Sequence, residues 1–440
     1  MPGAMRVRVL FRWSCPCWVG WRLIAALLLL SAGPRLCAAQ APGAPFRLTK
    51  PGCHKVRLPF TSQRNLLIIS AFLNGCGPYN FLLDTGVSAS LVTDPQLADS
   101  LGLMHGAQYK LLGVGGADSG LRAYEATNVR VKVAGAEAAD MSWLVLSSDV
   151  LDLSGYVGMP VHGIIGADLF RSFVVTIYSG QQQLELCDPA YYKAPKGRRW
   201  TTLPLTLDNN KAYLTASVQQ LTATAGSTDL PLRLLLDTGA GHALSLETTS
   251  DQRLSLPPTC LRTDLGRGLT GLISGSLGRV ATMHLGRYQL PQVLTSFPDS
   301  TQVHGRLTGT ERSRNGSLGF EVLKRFTAVI DYPHGRLLLR PTPELHDPFE
   351  HDMCGLDLLA AGPGYHRFLV QRVVPGSPAA SAGIMEGEEL VSINFMPLTN
   401  ISITELSRLL HSQDGRVLFM VLRRADGELH PASVKLKRQI

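Results

Sequence analysis

The chain of 440 residues is 45% hydrophobic and 17% charged, a balance that excludes wholesale disorder and allows roughly two to four domains with cores of their own. Its formal charge of +8 looks basic, but residues 1–39 contain Arg6, Arg8, Arg12, Arg22 and Arg35 and no acid. Setting those five aside leaves +3, so a nucleic-acid-binding role loses its electrostatic support.

In chain order, the first 39 residues read as a secretory leader. Arg6, Arg8 and Arg12 precede a short apolar run at 23–30, and Cys37-Ala38-Ala39 is a small-residue cleavage site before Gln40. The apolar run, interrupted upstream by Arg22, falls short of the ~20 residues that span a bilayer. Export to a periplasmic or secreted location is expected, with no stable membrane span after cleavage. Three of the eight cysteines lie in this leader. Cys53, Cys76, Cys187, Cys260 and Cys354 are odd in number and too scattered for a disulfide framework or a Cys-x-x-Cys metal site. A local Cys53–Cys76 bridge stays open.

Short β-branched or alternating segments closed by Gly, Asn and Pro predict strands at 66–72, 80–83, 129–133, 143–146, 173–177 and 183–186. Asp94-Pro95 supplies an N-cap and first-turn proline for a brief helix at 96–101. After a basic linker at 193–199, strands recur at 211–218, 232–236, 326–331 and 336–340. A Pro-rich stretch at 341–352 precedes a segment of different texture. There, strands at 368–370 and 416–422 flank the turn and short helix of Pro375-Gly376-Ser377-Pro378 and a helical spacing at 404–411.

The organising signal is duplication. Phe81-Leu82-Leu83-Asp84-Thr85-Gly86 recurs as Leu234-Leu235-Leu236-Asp237-Thr238-Gly239, an offset of 153 residues. That offset also carries Gly163-Ile164-Ile165-Gly166 onto Gly316-Ser317-Leu318-Gly319, Phe173 onto Phe326, and Ile177 onto Ile330. Gly113 and Gly115 land on Gly266 and Gly268. An apolar strand ending in Asp-Thr-Gly fixes a carboxylate at a strand end, and the glycine lets an amide approach it without a Cβ in the way. Two copies facing across a pseudo-twofold axis bring Asp84 and Asp237 together. Carboxylates ~3 Å apart share one proton, which suits one to activate water while the other donates to a carbonyl.

These motifs resemble the aspartic proteases, specifically the retropepsin-like and pepsin-like group with two Asp-Thr-Gly lobes in one chain, over about residues 55–340. The resemblance implies a mainly β fold of two pseudo-twofold-related, six-stranded-type β-barrel lobes, 40–192 and 200–340. Asp84 and Asp237 would be the catalytic dyad. Thr85, Gly86, Thr238 and Gly239 would support the active loops, and Gly166 and Gly319 would end strands that thread them. Gly113 and Gly115, with Gly266 and Gly268, fall where the family places flaps over the substrate. The second copy departs from the pattern at Gly241, where a hydroxyl or amide side chain is usual, and at Ser317, where an aliphatic is common. His242 either tunes Asp237 or faces solvent.

Residues 353–440 resemble a small α+β PDZ domain of the bacterial protease-associated type. Such modules bind extended peptides, often C-termini, on an exposed sheet edge. The resemblance places candidate peptide contacts at Phe368, Leu369 and Val370 and a carboxylate-binding loop near Tyr365; a packing domain with a closed groove is the alternative. The expected partners are a peptide or protein substrate and a C-terminal peptide ligand, with no nucleic acid, no cofactor and no metal. Because one chain supplies both lobes, a monomer is expected. Gly116-Ala117-Asp118-Ser119-Gly120 lacks the context of a serine-protease triad, and neither a His-x-x-x-His pair nor a phosphate-binding glycine loop is present. Two functions follow: an exported aspartic endopeptidase, or a non-catalytic peptide-binding protein using a degenerate cleft and the PDZ.

Overall fold

Phe81, Leu82 and Leu83 close the strand Cys76–Leu83, and all three are buried. Phe81 and Leu83 join the main core, while Leu82 faces a second cluster with Leu66, Ile68, Leu91 and Ile164. Covered on both faces, such a strand reads as an unbroken apolar run rather than an alternation. A computed structural model describes residues 45–103, 106–110, 121–221, 229–268, 271–300 and 313–440. The leader and the segment holding Gly113 and Gly115 lie outside the described residues.

The fold is mainly β. Lobe one is built on a nine-stranded sheet and lobe two on an eight-stranded one, each carrying a long hairpin. Strands Arg122–Val133 and Ala136–Leu146 form such a hairpin in lobe one, and Gly271–Leu285 with Tyr288–Pro298 in lobe two. A separate six-stranded sheet joins the lobes. At its centre Val174–Tyr178 runs antiparallel to Phe326–Asp331, and Thr176 pairs with Val329, its own equivalent at the 153-residue offset. The pseudo-twofold axis therefore passes through this pair. Asp94 caps the helix Pro95–Ser100, its carboxylate accepting from Gln96 N and Leu97 N.

The Pro-rich stretch at 341–352, read from the sequence as a second linker, is held against lobe two. Arg325, almost fully buried in lobe two, donates to the carbonyls of Glu344, Asp347 and Pro348 and lies 3.6 Å from the centre of the Phe349 ring. Five acceptors, those three carbonyls with the carbonyl and carboxylate of Glu321, satisfy the guanidinium that burial would otherwise penalise. The C-terminal sheet has the order Leu356–Ala361, Arg367–Val373, Glu389–Ile393, Val417–Arg423, Leu429–Lys435, with the helix Ile403–Leu410 packed against it. All five cysteines outside the leader are free, so the Cys53–Cys76 bridge does not form. Among the described residues no helix is long and apolar enough to cross a membrane, and no cluster of ligands could hold a metal ion.

Candidate active site

Each Asp-Thr-Gly loop leaves a buried strand and is threaded by a parallel neighbour. In lobe one Ile165 lies opposite Leu83, and in lobe two Leu318 lies opposite Leu236, the same register in each copy. The amide of Asp84 donates to Ile165 O (2.9 Å) and that of Asp237 to Leu318 O (3.0 Å). A Cβ on Gly166 would sit 2.9 Å from Val87 O, and one on Gly319 would sit 2.0 Å from His242 O. Both threading strands thus end in glycine because the loop's own carbonyls occupy the space.

The two loops hold each other through their threonines. Thr85 Oγ1 donates to Leu236 O (2.6 Å) and accepts from the amide of Thr238 (3.0 Å). Thr238 Oγ1 donates to Leu83 O (2.9 Å) and accepts from the amide of Thr85 (3.1 Å). Both side chains are wholly buried, so four hydrogen bonds with no competing water fix the separation of the loops. That separation sets the carboxylates face to face. A Cβ on Gly239 would lie 2.1 Å from the Asp84 carboxyl carbon, and one on Gly86 would lie 2.8 Å from Asp237 Oδ1 and 2.9 Å from Asp84 Oδ1.

Asp84 is buried, whereas Asp237 is half-buried. Burial first, and the Asp237 charge second, push the Asp84 carboxyl well above the usual carboxylate range. Hydrogen bonds from the amides of Gly86 (2.5 Å to Oδ1) and Gly239 oppose that rise without cancelling it. The protonated form of Asp84 is thereby favoured beside Asp237. Buried Tyr332 has its ionisation suppressed by burial first and by the nearby Asp84–Asp237 pair second. It has no equivalent in the repeat, since the same offset falls on Ser179, and so gave no sequence signal.

The two departures in lobe two have structural reasons. A Cβ on Gly241 would lie 2.5 Å from Arg64 O, because the turn of the hairpin Thr61–Gln63 / Leu66–Leu73 approaches there and Asn65 Nδ2 donates to Gly241 O (3.1 Å). In lobe one the equivalent Ser88 hydroxyl donates to Asn209 O (2.6 Å), on the matching turn of lobe two. Ser317 Oγ and His242 Nε2 are hydrogen-bonded at 3.1 Å. His242 is half-buried, and burial lowers its pKa even though Asp237 pulls it upward. It is not free in solvent, and its hydrogen-bond partner is the threading strand.

The turns are also tied to the helices that follow the threading strands. Lys324 Nζ donates to Asn65 Oδ1 (2.9 Å) and Arg171 Nη1 to Asn210 Oδ1 (3.4 Å). Lys324 pairs with Glu321 (2.5 Å) and Arg171 with Asp168 (2.8 Å). These acid–base pairs recur at the 153-residue offset, a signal the duplication carries outside the Asp-Thr-Gly motifs.

Of the flap candidates, Gly266 and Gly268 lie near the tip of the hairpin formed by Cys260–Gly268 and Gly271–Leu285. For the PDZ candidates the structure requires a correction. Phe368, Leu369 and Val370 lie on Arg367–Val373, which pairs with Leu356–Ala361 on one edge and Glu389–Ile393 on the other. Phe368 and Val370 are core residues. A strand with both edges paired cannot accept an added strand. The sheet edge beside the helix is Leu356–Ala361, and the amides entering it are those of Cys354, Gly355 and Leu356 rather than residues near Tyr365.

A family model described as aspartyl protease matches residues 69–169, and one described as PDZ domain matches residues 369–424. No curated protein matches the chain. Among solved structures, a photosystem II D1 C-terminal processing protease is 21% identical over 20% of this chain, with a TM-score of 0.18; the chain spans 23% of its length. Basic 7S globulin from soybean is 11% identical over 67% of this chain and 97% of its own, with a TM-score of 0.36. With two cross-braced Asp-Thr-Gly loops followed by this C-terminal sheet, the chain carries an aspartyl protease domain and, after it, a PDZ domain.

Proposed function

We propose that the chain is an exported aspartic endopeptidase that hydrolyses peptide bonds with water activated between Asp84 and Asp237. The reading rests on one observation above all: the reciprocal Thr85–Thr238 brace that holds the two carboxyls in contact. Asp84, driven toward its neutral form by burial first and by its neighbour Asp237 second, is the proton donor of the pair. Asp237 takes a proton from the water as its oxygen bonds to the peptide carbonyl carbon, and Asp84 gives its proton to the carbonyl oxygen. The tetrahedral diol then collapses. Asp237 passes its proton to the leaving nitrogen as the C–N bond breaks, and Asp84 recovers a proton from the diol. Because one proton is essential, activity falls as pH rises through the upper pKa of the pair. The arginine-led apolar leader with its small-residue site supports export, and a mature N-terminus at Gln40 is expected in extracytoplasmic fractions.

The test is digestion of a mixed peptide library from acidic to neutral pH by the purified protein and by Asp84→Asn and Asp237→Asn. Each variant should lose at least about 10³-fold in turnover, with its unfolding transition little changed. Wild-type turnover that survives in either variant overturns the dyad as the site of hydrolysis, and no turnover in the wild type favours a non-catalytic peptide-binding cleft.

A further inference from the structure

A turn that closes a two-residue hairpin with both central residues at positive φ favours Asn and Gly. In lobe two that turn is Asn209-Asn210, at φ 49° and 64°. In lobe one it is Arg64-Asn65, at φ 47° and 60°. Arginine in the left-handed region is the less comfortable choice, and the reason for it lies outside the lobe.

Arg64 reaches the PDZ domain. Its Nη2 donates to Leu358 O (3.0 Å) on the sheet-edge strand Leu356–Ala361, and its amide donates to Thr404 Oγ1 (3.0 Å) on the helix Ile403–Leu410. Gln63 Oε1 is bonded to the same hydroxyl. A PDZ domain receives an extended ligand between these two elements, a helix and the free edge of a strand. Lobe one fills that place. Beyond the turn, a Cβ on Gly158 would lie 3.0 Å from Ile403 Cγ2 and 3.5 Å from Ala360 Cβ, so the groove wall is packed against the protease. The amides of Cys354, Gly355 and Leu356, which lead into the edge strand and form a nest of the kind that captures a carboxylate, donate to Asp352 of the chain itself.

The next residue faces the other way. Asn65 donates to Gly241 O, and Arg64 O occupies the space a Cβ at 241 would need, four residues past Asp237. One turn thus bonds at once to the PDZ groove and to the second catalytic loop.

We propose that Arg64-Asn65 is a positioning turn for the Asp237 loop, and that the PDZ groove holds it by taking the turn as its own intramolecular ligand. The consequence for chemistry rests on the peptidase reading given above; the mechanical link does not. A groove engaged in this way serves the protease of its own chain, and a peptide added at Leu356–Ala361 must first displace Arg64.

Two variants of the full chain separate the links. Arg64→Asn installs the residue of the matching lobe-two turn, so it keeps the hairpin and removes the side-chain donor to Leu358. Asn65→Gly tolerates the positive φ and removes the bonds to Gly241, Glu321 and Lys324, all in lobe two, while leaving the Arg64 side chain in place. Amide hydrogen exchange followed by mass spectrometry should show Arg64→Asn speeding exchange about tenfold at both 356–361 and 240–243, and Asn65→Gly doing so at 240–243 only. Arg64→Lys, which retains a cationic donor, should restore protection at 240–243. Faster exchange at 356–361 with 240–243 unchanged overturns the coupling, and unchanged exchange at both overturns the docking. None of these readings needs turnover, so they stand even for a chain that fails to cleave. In a cleaving chain, Arg64→Asn should lower kcat with KM little altered.

Discussion

His242 and Ser317 stand where lobe one has Ala89 and Ile164, so a pair of apolar residues in one copy is a hydrogen-bonded polar pair in the other. Seen singly, Ser317 in a threading strand is a departure; with His242 it is half of a satisfied buried bond. Removing either partner strands the other, at about 1–3 kcal/mol, whereas replacing both by the lobe-one residues leaves nothing unpaired. Urea unfolding of Ser317→Ile, His242→Ala and the double variant should therefore give a double less destabilised than the sum of the singles. Strict additivity would show the bond to be immaterial. Thr85 is the stricter case. Thr85→Val removes the acceptor for the Thr238 amide and the donor to Leu236 O, both in a water-free site, and should cost about 2–4 kcal/mol by urea unfolding. Thr85→Ser keeps both bonds and should cost less.

At the scale of elements, the threading strand explains the glycine at the start of each copy. A Cβ on Gly316 would meet Ser245 O at 1.8 Å, and one on Gly163 would meet Leu91 O at 2.2 Å, so neither strand has slack. Gly316→Ala must move Gly316–Leu318 away from Leu244–Leu246 and with it the amide partner of Asp237. Peptide hydrolysis in that variant should fall by more than its stability, since the dyad loop shifts before the core is lost; equal losses would count against this. The sequence made this architecture legible because the duplication preserves register: Leu82 with Ile164 and Leu235 with Ser317 are equivalent pairs. It made the braces legible because Thr85 and Thr238 belong to the motif. What it hid was relational. Phe368-Leu369-Val370 reads as a strand in any order of the sheet, and only the pairing of both its edges excludes it as a docking strand. The Pro-rich stretch at 341–352 reads as a linker, and nothing in its local pattern shows that buried Arg325 binds its carbonyls. The Arg64-Asn65 turn carries no motif at all, and its meaning comes from what it touches on each side.

For the whole molecule, the hold of the PDZ domain on the protease lobes should depend on pH, and the sign follows from two histidines. His351 is buried beside Arg279, Arg438 and His411, and its Nε2 accepts from the amide of Gln439 (3.3 Å). His411, at the end of the helix Ile403–Leu410, lies near Arg64 and Lys324. Burial first, and these cations second, lower each to about 4. In the unfolded chain both would titrate near ~6.5. Between those values the unfolded state binds more protons than the folded one, so stability rises with pH there. Their contribution is complete above ~6.5 and is lost as pH falls toward 4, at most about 3 kcal/mol for each group. A charged His411 would also repel Arg64, the residue that bonds the PDZ edge strand. Thermal unfolding of the full chain should show a lower Tm at pH 4 than at pH 7, and the double variant His351→Gln, His411→Gln should shrink that drop. Glutamine can accept from the Gln439 amide as neutral imidazole does, yet cannot take up a proton in this range. An identical fall in wild type and variant would assign the acid sensitivity to carboxylates elsewhere; a smaller fall in the variant, accompanied by retained amide protection at 356–361, would place it where the PDZ domain meets the protease lobes.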